Sequence, residues 1–501
     1  MTNVAILCSR ADASGGQAIP QIAHSAVDIS DSIPLHPLGV KPSGNRYLSN
    51  DPDARASIGF WAMIPDELLM IILEQFQQLE LLALGSTCRF LYAFCRADEL
   101  WKSIFLGLTR KQSKAMPWRG TWRRTVRNIS KDLQADIACT NVFSDVLHCP
   151  FACTNVNLSQ FVDNIPESHQ IQRFATLSYE EYAQEWTEHP FILTDCIKEW
   201  PVCSQWTIPR LLEVYGHVEF RAEAVDWTLE QYYSYMDDNM DESPLYLFDR
   251  MFAEKMGINI GNKPGAAYWR PDCFGPDLFA VLGNDRPAHR WLIIGPERSG
   301  STFHKDPNGT SAWNAVIQGS KYWIMFPPTT QVPGVYVSRD RSEVTSPLSI
   351  AEWLLSFHGE ARRLSECVEG VCRAGEILHV PSGWWHLVVN LERGIALTQN
   401  FVPQSPSLSL LSEVLLFLRD KPNQVSGFSR SISDPYKLFT ARLMQEQPML
   451  LKRALETAER NQSKKRTWHD VAGSDNECRQ DGDGGFSFGF CADDDDNEPT
   501  G

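Results

Sequence analysis

His304, Asp306 and His386 constrain this chain more than any other residues. An extended strand sends residues i and i+2 to the same face, so the His-x-Asp pair His304 and Asp306 can grip one metal ion together. A fold that brings His386 in on a neighbouring strand completes a facial set of two histidines and one carboxylate. Such a set leaves the opposite face of the metal open, as non-haem Fe(II) oxygenases require to admit a co-substrate and dioxygen. The tripeptide alone is common by chance. Its surroundings carry the argument.

Apolar and β-branched runs at Trp291–Ile294, Tyr322–Phe326, Leu387–Val389 and Ile395–Leu397 are bounded by Gly, Pro and Asn. Short strands punctuated in this way predict an all-β sandwich or barrel. Pro381-Ser-Gly383 marks a turn just before Trp384, Trp385 and His386. With "SPLYLFD" at 243–249, "GTSAWNA" at 309–315 and "TQNF" at 398–401, these segments resemble the Jumonji-C domain of the cupin superfamily, a double-stranded β-helix (jelly roll). The likeness is densest to the lysyl-hydroxylase subfamily once called phosphatidylserine receptors, from about Phe191 to Phe401.

The resemblance implies a 2-oxoglutarate site as well as a metal site. Lys321 matches the lysine that pairs with the distal carboxylate of 2-oxoglutarate, where an ammonium makes a charge-assisted hydrogen bond in a low dielectric. Asn314, Tyr246 and Thr398 match co-substrate contacts. Ser301 stands where the subfamily has Thr, keeping the hydroxyl and losing a methyl. His379 departs from the more usual aromatic and reads as a structural histidine, on a different face from His386.

Thirteen cysteines are scattered without a C-x-x-C pair, and neither Cys149/Cys153 nor Cys367/Cys372 comes with the further ligands of a zinc site. Reduced thiols, no basic-start signal peptide and no apolar run of about 20 residues lead us to expect a soluble intracellular protein of nucleus or cytoplasm, without a membrane partner. The net charge of −16 is concentrated in the tail after Asp470, which is expected to be disordered and acidic. Arg119, Arg123, Arg124 and Arg127 lie among tryptophans, but without a motif they speak for packing rather than nucleic acid.

We expect a flexible leader over 1–58, a helical segment over 59–106, a helical or irregular bridge over 107–170, the barrel over 171–402, C-terminal helices over 403–460 and the acidic tail over 461–501: an α+β chain. Ile64-Pro65 opens a helix with Asp66 and Glu67 in its first turn. A second helix is expected through Leu81–Phe94 and a third near Leu100–Trp101. Three short helices cannot bury their apolar faces alone. Ile64-Pro65, Leu81-Leu82, Cys88-Arg89 and Leu100-Trp101 together resemble an F-box. That implies docking on a Skp-type adaptor of a cullin ubiquitin ligase, blocked by charges at Leu81 and Leu82. Leu408–Leu418 and Tyr436–Ala458 have helical spacing; in the Jumonji-C relatives such helices support the barrel and often pair two copies.

The resemblance thus implies an Fe(II)- and 2-oxoglutarate-dependent dioxygenase acting with dioxygen on a protein side chain, lysine first. N-methyl lysine or arginine demethylation, as on histones, uses the same oxidation. An F-box adaptor with a non-catalytic barrel is the reading from another class, disfavoured by a complete ligand set.

Overall fold

Alternating apolar residues in short strands build two sheets with a shared interior. The structure, a computed structural model, describes residues 33–109, 116–133, 136–261, 264–338, 344–345 and 349–472. Most of the expected leader and the acidic tail from residue 473 lie outside the described residues.

The strands are β1 (Gln172–Phe174), β2 (Phe191–Leu193), β3 (Glu219–Ala222), β4 (Val225–Thr228), β5 (Leu247–Asp249), β6 (Arg290–Gly295), β7 (Gly300–His304), β8 (Ser311–Gln318) and β9 (Ser320–Phe326), followed by β10 (Tyr336–Val337), β11 (Val344–Thr345), β12 (Val368–Arg373), β13 (Ile377–Val380), β14 (Trp385–Asn390) and β15 (Gly394–Phe401). The larger sheet runs β1-β2-β13-β8-β15-β6-β5-β3-β4 and the smaller β12-β9-β14-β7; β10 and β11 form a separate hairpin. Among the named strands of the described residues, only β1 and β2 pair in parallel. Ile192, Ala312, Val316 and Leu378 of the larger sheet pack against Trp323, Met325 and Val388 of the smaller. By strand alternation Asn314, Lys321, His386 and Thr398 share that interior with them.

The N-terminal segment differs from expectation in three ways. Val40 and Ala54 are buried and Lys41 bridges to Phe143, so part of the expected flexible leader is folded before residue 58. There are four helices rather than three: α1 (Asp66–Leu73), α2 (Gln78–Gly85), α3 (Arg89–Phe94) and α4 (Asp98–Thr109). The expected second helix breaks because Ser86 and Thr87 hydroxyls bond the Ala83 and Leu84 carbonyls. Third, the helices share a core with the barrel. Phe105 of α4 lies 5.2 Å from Trp122 and 5.7 Å from Trp227 on β4, ring to ring.

At the other end, Ser409–Asp420 forms one helix. The expected second helix is split into Pro435–Glu446 and Pro448–Ala472, because Pro448 lacks an N–H and disfavours a helical residue before it. The last helix also runs past the expected boundary at 460. Leu411, Val414, Phe439, Leu443 and Leu451 pack against Leu278, Phe279 and Leu282. Among the described residues no single helix is long and apolar enough to cross a membrane.

Candidate active site

His304 ends β7, and His386 sits directly opposite it on antiparallel β14. Their ring centroids are 4.1 Å apart. A bulge makes Ser301 pair with Val388 while His304 pairs with His386, so residues three apart on β7 face the same way. The close approach needs Gly300, where a Cβ would meet the Val388 carbonyl oxygen at 2.0 Å. Asp306 lies beyond the strand, before a short 3-10 turn, yet keeps extended backbone angles (φ −64°, ψ 146°). The i, i+2 relation to His304 survives for that reason.

Each imidazole is held by its own strand. His304 Nδ1 donates to the Thr302 carbonyl at 2.7 Å, and His386 Nδ1 to the Trp384 carbonyl at 3.1 Å. A carbonyl only accepts, so Nδ1 carries the proton in each of these bonds, and His304 makes a further backbone hydrogen bond to His386. Burial lowers both imidazoles to about 4, with His386 adding to the effect on His304. Burial raises the Asp306 carboxyl to about 6, against opposing contributions from His304 and the Asn400 amide. Asn400 Nδ2 donates to Asp306 Oδ1 at 3.3 Å and to Thr310 Oγ1 at 2.9 Å.

Lys321 enters from β9 and is 2% exposed. Its ammonium donates to the Tyr246 hydroxyl, and no carboxylate ion-pairs with it among the described residues. Burial lowers it to about 7, opposed only by Cys372. Thr398 Oγ1 donates to the Trp313 carbonyl at 3.0 Å and keeps lone pairs to accept. Asp306 Oδ2, Asn314 Oδ1, Asn390 Oδ1 and Trp323 Nε1 are buried without hydrogen-bond partners. Such groups are costly unless something binds them. A divalent cation answers the free carboxylate oxygen and the paired imidazoles, and a dicarboxylate answers Lys321. The residues present fit both groups.

Reading by sequence assigned no role to Asn390, Asn400 or Trp323. Each lies two or four residues from a predicted site residue on the same strand (His386, Thr398 and Lys321), so strand alternation alone could have found them. His379, by contrast, takes no part: it lies on β13, stacked 4.8 Å from Phe191, with Nδ1 on the His189 carbonyl and Nε2 on the Tyr182 hydroxyl.

Among the described residues a different set, His169, Cys367 and Glu369, has candidate donor atoms within 4.8 Å of one another. Glu369 already accepts from Arg362 Nε at 2.8 Å, Arg362 NH2 at 3.0 Å and the Tyr322 hydroxyl. We read it as a saturated buried ion pair between the smaller sheet and its covering helices.

A pocket of about 640 Å3, counted out to its open mouth, leads to His304 and Ser301; Glu223, Glu242, Arg298 and Ile350 line its walls.

A double-stranded β-helix with two histidines and a carboxylate on one face and a buried lysine in its interior defines the class of iron- and 2-oxoglutarate-dependent oxygenases. Comparison with known proteins agrees. Residues 177–406 match a cupin-like domain and residues 61–107 an F-box-like domain. The chain is 36% identical over 420 residues to the arginine-specific demethylase JMJ22 of Arabidopsis thaliana, covering 79% of this chain and 81% of that protein. It is 34% identical over 271 residues to the bifunctional arginine demethylase and lysyl-hydroxylase psr-1 of Caenorhabditis elegans, covering 50% of this chain and 66% of that one. The human 2-oxoglutarate and iron-dependent oxygenase JMJD4 is 34% identical over 119 residues, 23% of this chain and 27% of its own. The chain belongs to the Jumonji-C family of cupin-like oxygenases and carries an F-box-like domain before the barrel.

Proposed function

We propose that this oxygenase hydroxylates a lysine side chain of a protein, with iron(II) held by His304, Asp306 and His386 and 2-oxoglutarate held by Lys321. When bound, the metal and co-substrate supply the oxidation, 2-oxoglutarate leaving as succinate and carbon dioxide. The chain's own residues do the rest. The Thr302 and Trp384 carbonyls orient the two imidazoles, and Asn400 holds one oxygen of Asp306 so that the other points free. Lys321 and Tyr246, with Asn314, Thr398 and Ser301, bind and orient the co-substrate's polar ends. The apolar interior around Trp323, Met325 and Val388 excludes water from the reacting atoms. The opposition of His304 and His386 across neighbouring strands, each locked to a backbone carbonyl, is the observation that carries this reading.

Arginine N-demethylation is the second reading, favoured by the similarity to JMJ22 over most of both chains. Both reactions place one oxygen atom on a C–H; from an N-methyl group the product then loses formaldehyde. Mass spectrometry of protein substrates incubated with iron and 2-oxoglutarate separates them. A gain of one oxygen on lysine supports hydroxylation, and loss of a methyl group with formaldehyde supports demethylation.

For the F-box we infer docking to a Skp-type adaptor and through it a cullin ligase. Phe60, Met63, Leu68, Ile71 and Leu79 are exposed apolar residues on or beside α1 and α2. The residues that dock differ from the sequence expectation: Leu81 is 1% exposed and belongs to the core. An isolated 60–106 fragment would also lack Trp122 and Trp227, which cover Phe105. The full chain is therefore the right object for the binding test.

A further inference from the structure

We infer that Asp241 is a positioning residue for the co-substrate. With Lys102 of the F-box helix α4 and the Trp122 indole it fixes Tyr235, and through Tyr235 the backbone that presents Tyr246 to Lys321. The inference rests on the oxygenase reading of Lys321 and Tyr246, and adds that the F-box segment completes their site.

Tyr246 lies just before β5, ahead of the ladder. β5 pairs with β6 only from Leu247 onward, Leu247 opposite Ile294. Leu245 and Tyr246 are buried, so their backbone groups need partners. Side chains provide them. The Leu245 N–H donates to the Tyr235 hydroxyl at 2.8 Å, and the Leu245 carbonyl accepts from the Tyr232 hydroxyl at 2.9 Å. The Tyr246 N–H donates to Glu223 Oε1 at 3.0 Å, and the Leu247 N–H to the Tyr232 hydroxyl at 3.1 Å. Tyr232 and Tyr235 stand on one helix, Leu229–Asp237.

Tyr235 depends on residues outside the barrel. Its hydroxyl accepts from Leu245 and donates to Asp241 Oδ2 at 2.7 Å. Asp241 is 8% exposed and accepts from the Trp122 indole N–H at 2.8 Å. The Lys102 ammonium lies 3.8 Å from Asp241 Oδ2 and 5.6 Å from the centroid of the Trp122 ring. Trp118 donates to the Asp238 carbonyl at 2.6 Å and so clamps the end of the same helix. A carboxylate only accepts, so Asp241 makes the Tyr235 hydroxyl a donor on its side and leaves a lone pair for the Leu245 N–H. Loss of one donor to a buried carboxylate is felt along the whole network.

On its other side the Tyr246 ring is tightly confined, since a Cβ on Gly295 would meet its Cδ2 at 2.7 Å. Held between Gly295 and this pinned backbone, the ring keeps its hydroxyl on the Lys321 ammonium. A shift of the backbone therefore becomes a shift at the co-substrate's charged partner, where small misplacements have large effects.

The test titrates 2-oxoglutarate by calorimetry into the full chain loaded with nickel(II), and reads nickel affinity separately. Tyr235→Phe removes one oxygen atom and leaves the Leu245 N–H without its partner. It should weaken 2-oxoglutarate roughly two- to thirtyfold, the range for residues that act through others, with nickel affinity unchanged. Asp241→Asn keeps an acceptor and should lose less than Asp241→Leu. Lys102→Met keeps the stem over Trp122 and removes the charge at a site 27% exposed, where the fold tolerates it. It should weaken 2-oxoglutarate about two- to fivefold. In a Tyr246→Phe background, which lacks the hydroxyl on Lys321, the effects of Tyr235→Phe and Lys102→Met should both fall below about twofold, because residues that share a route do not add. If Lys321→Met binds 2-oxoglutarate like the parent, the oxygenase reading of the site falls and takes the inference with it. If Lys321→Met weakens binding but Tyr235→Phe and Lys102→Met do not, or do so equally with and without the Tyr246 hydroxyl, the inference alone is overturned.

Discussion

Lys321→Met should make the ligand-free protein more stable and its co-substrate binding much weaker. An ammonium 2% exposed, with no counter-ion among the described residues, is held down from 10.5 to about 7. At about 1.36 kcal/mol per pKa unit, burying it costs up to about 5 kcal/mol below pH 7 and about 4 kcal/mol at pH 7.5. The folded value lies below the unfolded one, so the folded state binds fewer protons. The cost is complete below pH 7 and fades to nothing as pH rises through 10.5. Methionine fills a similar volume without charge, so the stability gain of the variant should shrink over that same window. With 2-oxoglutarate the sign reverses, because the carboxylate loses its buried partner. A loss of about 3–5 kcal/mol raises the 2-oxoglutarate requirement by roughly two to three and a half decades. Above pH 7 binding should also take up a proton, and affinity should fall about tenfold per pH unit. Chemical denaturation of the apo protein and calorimetry with 2-oxoglutarate read the two halves. A variant that loses stability, or titrates 2-oxoglutarate like the parent, would show that Lys321 is a packing residue.

Other perturbations separate the metal, the covering layer and the docking face. His304→Ala should abolish succinate production while circular dichroism is retained, and zinc or nickel should inhibit the parent by taking the same ligands. Glu369 is buried, which alone would raise its carboxyl, but hydrogen bonds from His358, Arg362 and Tyr322 bring it down to about 2. Its folded value is below its unfolded value, so it contributes up to about 3 kcal/mol above pH 4.5 that is lost between pH 4.5 and 2. Glu369→Gln should flatten the acid limb of the stability curve there. Leu68→Asp with Ile71→Asp, at sites 52% and 56% exposed, should stop capture of a Skp-type adaptor with little change in melting temperature. Leu81→Asp should instead unfold the helical segment, since it places a charge in the core; equal melting temperatures would refute this division.

The sequence by itself determined the chemistry and much of the local structure. Apolar runs around Tyr322–Phe326 and Leu387–Val389 became strands because β-branched and aromatic residues bounded by Gly, Pro and Asn have few other options. The candidate ligands were legible because iron chemistry demands few side-chain types, and strand alternation carries His304 and Asp306 to one face. Tertiary structure decided what depends on register and on distant partners. The bulge that turns Ser301 and His304 to the same side comes from how β7 meets β14, which no local pattern encodes. Leu81 and Leu68 look alike in sequence; only the packing of α1–α4 on Trp122 and Trp227 makes one core and the other surface. Hydrophobic burial is non-directional and specifies that α4 is covered without saying by what.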